Sequence, residues 1–454
     1  MNYSNYPSEK LNRPQFTSAL HKGLGRAFVY VKRYGLDEVA DIVKQACLHY
    51  PVLGMEAGGG YNAWLYSMFQ QTRYYQEFRE AILNALEDET NQDLGDLFAL
   101  AKEMALSGDE LARSIVRKQA LNLANSGSSI NNVGAIEWIE VGGINALLEL
   151  VRIYSQRLLK NPEDENIPVW DFLDNQTHQQ FENKLPDYIQ KEPILKAYSD
   201  YLRQYKGPDA PPTPEELEAR RKHLFEDARR QFTLESILDD AKNKRRYYPG
   251  NYVTFGRHAT KEELAVVFSV LLNESDEEVC LRLLWVFSRN PVPALSEKIY
   301  FWAEGESEKL KGASLTALAW NSDKRIHELG HKKLLDGDLL GPNRNIMKLF
   351  VKNYENSDGQ LISDAVVSLN PAKEDGDAIS HSIRDIAERH KDPDLAGALK
   401  WAYENTTSPL CRYGIVIELD AIKQFNGAIL IECQYDSDED IRSLAKEKLA
   451  HLSQ

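Results

Sequence analysis

Cysteine is scarce in this chain. Its 454 residues hold four, Cys47, Cys280, Cys411 and Cys433, and no two of them form a C-x-x-C pair. That spacing excludes a dithiol redox motif and a cysteine-rich zinc cluster, and leaves buried thiols as the expected state. Long apolar runs are missing as well: nothing approaches the roughly 18 residues a membrane span requires. The opening residues, MNYSNYPSEKLNRPQF, lack the apolar core of a signal peptide. The expectation is a soluble, cytoplasmic protein with no membrane partner. Positive charge is the minority sign, with 54 Lys and Arg against 69 Asp and Glu and a net charge of −15. The excess is even, since residues 1–205 carry 27 acids and 20 bases and residues 206–454 carry 42 and 34. A chain acidic throughout is a poor generic binder of nucleic acid, so only a local basic stripe could serve that purpose. Alternating strand patterns are few; Tyr252-Val253-Thr254-Phe255 is the best candidate and is short.

Helix signals are plentiful. A hydrophobic content of 43%, with 10% aromatics, is enough for a sizeable core. Capping boxes, in which Ser or Thr precedes an acid by three residues, occur at Ser107…Glu110, Thr213…Glu216, Thr260…Glu263, Ser275…Glu278 and Ser437…Asp440. Between them apolar residues recur with a period near 3.6, as in Leu264, Val267, Phe268, Leu271 and Leu272. The chain reads as all-α, with roughly twenty helices of ordinary length. Four prolines between Lys206 and Pro214 cannot continue a helix. They divide an N-terminal α-helical domain, residues 1–205, from a second helical region, residues 216–454, across a linker at 206–215.

The second region repeats itself. Ser275-Asp276-Glu277-Glu278-Val279, Ser322-Asp323-Lys324-Arg325-Ile326 and Ser437-Asp438-Glu439-Asp440-Ile441 each open with Ser-Asp and reach a β-branched aliphatic four residues on. Positions +3, +4, +7 and +8 from that aliphatic share one helix face. They hold Arg282, Leu283, Val286 and Phe287 in the first unit, Leu329, Gly330, Lys333 and Leu334 in the second, and Leu444, Ala445, Lys448 and Leu449 in the third. The starts lie 47 and 115 residues apart, which suits units of roughly 40–47 residues. The segment from Ser307 to Trp320 joins the next helix through Asn321 and Ser322 alone, a helix hairpin. Over about residues 260–452 the pattern resembles HEAT-like repeats, most closely in DSDEDIRSLAKEKLA. That resemblance implies an α-solenoid whose long surface binds a macromolecule.

Two stretches carry candidate chemistry. His327-Glu328-Leu329-Gly330-His331 is the H-E-x-x-H pattern of zinc peptidases. Histidines at i and i+4 of a helix can share a zinc ion, and the glutamate between them can act as base on metal-bound water. By resemblance to gluzincin-type peptidases, Glu355 would be the third ligand, giving His327, His331 and Glu355 with Glu328 as catalytic base. Against that, the three motif residues fall off the apolar face of the repeat helix, and Lys332 and Lys333 follow at once. The stretch 242–258, KNKRRYYPGNYVTFGRH, interleaves Lys242, Lys244, Arg245, Arg246 and Arg257 with Tyr247, Tyr248, Tyr252 and Phe255 and has no acid. Cations with aromatics suit phosphate contact and base stacking. The leading expectation is a non-catalytic helical-repeat scaffold or adaptor with no cofactor. It would bind a protein partner through 242–258 and the polar edge carrying His327, Glu328 and His331. A zinc metallopeptidase and a nucleic-acid-binding protein using 242–258 are the alternatives.

Overall fold

Every regular element among the described residues is a helix. The structure, a computed structural model, describes residues 10–49, 60–88, 90–127, 133–164, 166–167, 176–205, 214–244, 248–337 and 339–452. No helix among them is long and apolar enough to cross a membrane. The short strand expected at Tyr252–Phe255 is instead part of a helix, Pro249–His258. Pro249 sits at its first turn, where proline is pre-organised for helix. Tyr252, Phe255 and Gly256 are buried together, an i, i+3, i+4 pattern that only a helix places on one face.

Helix starts follow the expected signals, with one systematic change. Thr260 forms the predicted capping box with Glu263. Elsewhere the cap is an aspartate close to the predicted serine: Asp109, Asp276, Asp323 and Asp438 accept the free N–H groups of the first turn. Thr213, the remaining predicted cap, lies outside the described residues.

The chain forms two compact units, Met1–Pro211 together with Ile431–Gln454, and Pro212–Leu430. Of the linker 206–215, residues 206–213 lie outside the described residues. The sequence reading kept residues 431–454 with the second region, whereas here they join the first. Gly25 explains how. It opens the helix α1 (Gly25–Tyr34), and a Cβ there would lie 2.0 Å from the Glu432 carbonyl oxygen. Only glycine lets the two backbones meet. Around it Arg26 Nε pairs with the buried Glu432 at 2.8 Å, Trp64 Nε1 donates to the Tyr435 carbonyl at 2.8 Å, and Ser437 N donates to the Gly23 carbonyl at 2.9 Å. Gly25→Ala is therefore expected to destabilise the first unit by about 3 kcal/mol, because backbone cannot yield as a side chain does. Urea denaturation checks this, and a loss under 1 kcal/mol would contradict the packing described.

Within the second unit the helices form two rows. One row runs through α2 (Pro249–His258), α3 (Glu277–Leu284) with its 3-10 extension Trp285–Phe287, α4 (Glu308–Leu318), the 3-10 segment Gly341–Val351, α5 (Lys373–His390) and α6 (Pro409–Ala421), each packed on the next. Beside it lie α7 (Lys261–Asn273), α8 (Glu297–Glu304), α9 (Lys324–Asp336), α10 (Asp358–Val367) and α11 (Ala396–Asn405). The packed pairs are α7 with α3, α8 with α4, and α9 with the 3-10 segment. The hairpin read between 307–320 and the helix after Ser322 is thus offset by one helix: α4 pairs with the helix before it.

Three asparagines tie the pairs together. Asn290, Asn321 and Asn353 each donate a side-chain N–H to a backbone carbonyl of the preceding pair, at Gly256, Val292 and Asn321, reaching back 34, 29 and 32 residues. The step is therefore near 30 residues, not 40–47. The 47-residue spacing of the first two Ser-Asp openers is about one and a half such steps. Asp276 opens a helix of the first row, Asp323 one of the second row, and Asp438 caps a helix of the other unit. An N-cap aspartate satisfies free N–H groups at any helix start, so it marks starts without distinguishing rows.

Candidate functional site

The H-E-L-G-H pentapeptide occupies α9. Ile326, Leu329, Gly330 and Leu334 are buried there. A Cβ on Gly330 would meet the Phe350 ring at 3.0 Å, so the small residue seats the helix on its 3-10 partner. The sequence reading placed His327 on the wet side; its side chain is in fact 13% exposed. Its Nε2 lies 3.0 and 3.1 Å from the two carboxylate oxygens of Asp358, and its ring sits edge-on to Phe350 with centroids 6.0 Å apart. A carboxylate oxygen accepts, so Nε2 carries the hydrogen. Asp358 is fully buried and also accepts from the Glu355 backbone N–H at 2.7 Å. Two elements are thereby joined, α9 and the first turn of α10. Glu355 is 63% exposed and its carboxylate stands 3.8 Å from His327 Nδ1. Glu328 is exposed and pairs with Lys324 at 3.3 Å. The His331 ring lies 5.8 Å from that of His327. Among the described residues no group of three or more His, Cys, Asp or Glu is placed to hold a metal ion.

The stretch 242–258 does not form one surface. Lys242 is exposed at the end of a helix, Leu234–Asn243. Lys244 takes a left-handed conformation, φ 49°, and pairs with Asp276 at 2.5 Å. Arg245, Arg246 and Tyr247 lie outside the described residues. Tyr248 is 47% exposed. Tyr252 and Phe255 are core residues, and the Tyr252 hydroxyl donates to Asp240. Burial and then the Asp240 carboxylate push that phenol above its ordinary pKa. Arg257 turns toward a cavity, which Val253 also lines.

That cavity lies within the second unit. It has a volume of about 790 Å³, within the range of ligand pockets. All six elements of the first row reach its wall: Arg257 from α2, Trp285 from the extension of α3, Thr316 from α4, Lys348 from the 3-10 segment, Asp377 from α5 and Cys411 from α6. Arg289, Arg344 and Lys352 add cations; Glu374 and Asp385 add acids. Most of these charges are engaged. Arg344 pairs with Asp375 at 2.9 Å, Lys352 Nζ donates to the Trp320 carbonyl at 2.8 Å, and Asp385 pairs with His381 at 3.2 Å and Arg384 at 3.0 Å. Asp377 accepts from Thr406 and Thr407. Arg257, Arg289 and Lys348 have no hydrogen bond or ion pair among the described residues. The indole N–H of Trp285 and the hydroxyl of Ser288 are also buried on this wall without partners.

Lys348 pays most for this placement. Burial first, then the charges of Arg344 and Arg289, lower its pKa below the ordinary lysine value of 10.5, against a partial opposing effect of Asp385. Its folded-state pKa lies below its unfolded one. The penalty is therefore complete below the folded value and vanishes as pH rises past the unfolded value. Lys348→Met keeps the apolar stem and removes the charge, and is expected to raise the melting temperature of the second unit by about 2–4 °C at neutral pH. The gain should shrink as pH approaches 10.5. Differential scanning calorimetry across pH checks it; a lowered melting temperature at neutral pH would contradict the strain described.

Sequence reasoning missed this cavity because its residues are spread from Val253 to Cys411 and no local motif joins them. The available signal was a row step near 30 residues, which brings Arg257, Arg289 and Trp320 to one side. Compared with known protein families, curated proteins and solved structures, the chain matches none.

Proposed function

We propose that this chain is a non-catalytic helical-repeat adaptor. Its second unit is read as an α-solenoid of HEAT-like hairpins that holds a protein partner in the groove of the first helix row. One observation carries the reading: a single cavity receives side chains from all six elements of that row. Binding along a stack of repeats takes this form. In this reading no zinc is held, and His327 serves to join α9 to α10. The contact surface moves from 242–258 as a whole to Arg257 and the groove beyond it.

The test is affinity capture from cells that make the protein, compared across three forms of the full chain: native, Arg257→Glu with Arg289→Glu, and Phe301→Ser. Both arginines are exposed, so their replacement spares the fold. Phe301 is 73% exposed on α8, away from the groove. Proteins held by the native chain should be kept by the Phe301 variant and lost from the arginine variant. Equal capture by all three forms would overturn the reading.

A further inference from the structure

The groove is charged unevenly, and that unevenness selects a ligand. Arg289, Arg344 and Lys348 line the same cavity, and the two guanidinium groups help to depress the lysine. Two of these three cations lack a carboxylate partner among the described residues. Keeping an unpaired cation half-buried beside two others is costly, and an anion from outside would relieve that cost. On the α5 side of the same cavity, Glu374, Asp377 and Asp385 supply negative charge. Trp285, with its unpartnered N–H, and Trp320 line the same cavity.

We infer that the groove takes an extended segment of a protein partner, with an anionic side chain on Arg289, Arg344 and Lys348 and a cationic side chain at Glu374. This rests on the groove reading above and names its ligand. The Trp285 N–H and the Ser288 hydroxyl suit the carbonyls of an extended peptide, which otherwise go unsatisfied on burial. A nucleic-acid strand fits less well, because its phosphates recur at every nucleotide and would meet the three acids of the α5 side. The volume of about 790 Å³ suits a short segment rather than a folded domain.

The experiment is fluorescence anisotropy with the full chain and three labelled probes: a peptide with a glutamate block followed by a lysine block, an all-glutamate peptide, and an oligo-deoxythymidine of matching length. The block peptide should bind most tightly, and its affinity should fall with salt. Arg289→Ala and Lys348→Met should each weaken it about tenfold, roughly the effect of losing one charged contact. Glu374→Gln should narrow the gap between block and all-glutamate peptides. Tighter binding of the oligonucleotide, lost in the Arg289 and Lys348 variants, would overturn the peptide inference and leave the groove reading standing. Block-peptide binding unchanged in both variants would overturn the groove reading as well. No binding by any probe at low salt would overturn the inference alone.

Discussion

Asp358→Ala is expected to destabilise the second unit by about 3 kcal/mol, seen as a lower urea midpoint with an unchanged slope. The carboxylate has two partners and no exposure: His327 Nε2 at 3.0 Å and the Glu355 backbone N–H at 2.7 Å. Alanine leaves both donors without an acceptor, and each orphaned buried donor costs about 1–3 kcal/mol. It also removes a negative charge from the first turn of α10, where the helix dipole favours one. His327→Ala should lose less, because the backbone N–H keeps its acceptor. The double variant should fall well short of the sum, with a coupling of about 1–2 kcal/mol. Additive losses would show that the two side chains act independently and would remove the joint between α9 and α10.

Arg282→Ala carries the largest expected loss, about 3–5 kcal/mol, because it empties a buried site and removes the hydrogen bonds to Glu278 and the Asp240 carbonyl. Its side chain is 2% exposed. It donates to Glu278 at 2.7 Å and to the Asp240 carbonyl at 3.5 Å, and stands 3.7 Å from the Asp240 carboxylate that accepts from Tyr252. One guanidinium thus links three helices: Leu234–Asn243, α2 and α3. Thermal and urea unfolding of the variant give the value. Arg282→Met keeps the apolar stem and should lose less than alanine. A loss below 1 kcal/mol for Arg282→Ala would mean that water replaces the contacts and that this corner is looser than described.

Part of this structure was legible in the residues. The all-helical class was, because periodicity and caps repeat along the chain. Thr260 and Glu263 behave as their spacing implies. The pairing of helices was not. Asp276 and Asp323 look alike in sequence because capping is a local demand of one helix end, whereas row membership is set by packing partners some 30 residues away. Arg282 was read on the face that turns inward, and it is indeed buried. Its charge is met by acids from two helices, which the single-helix pattern could not display. His327 failed in the opposite direction. Its offset put it beside the apolar face, but the buried carboxylate that draws it in belongs to Asp358, 31 residues on. That the Glu432 carbonyl would stand against Gly25 was not legible, since contacts so distant in sequence leave no local trace. Lys348 and Arg289 carried no signal at all when read alone. Their meaning comes only from standing together with Arg344 on one wall.

The most direct measurement for the account as a whole is the zinc content of the full chain after equilibration with a small excess of zinc and removal of the free metal. It separates a helix-joining histidine in a binding protein from a catalytic ligand. With His327 Nε2 committed to Asp358, the protein should retain no stoichiometric zinc, and His327→Ala should change stability without changing metal content. One zinc per chain, released by His327→Ala and equally by His331→Ala, would contradict the account.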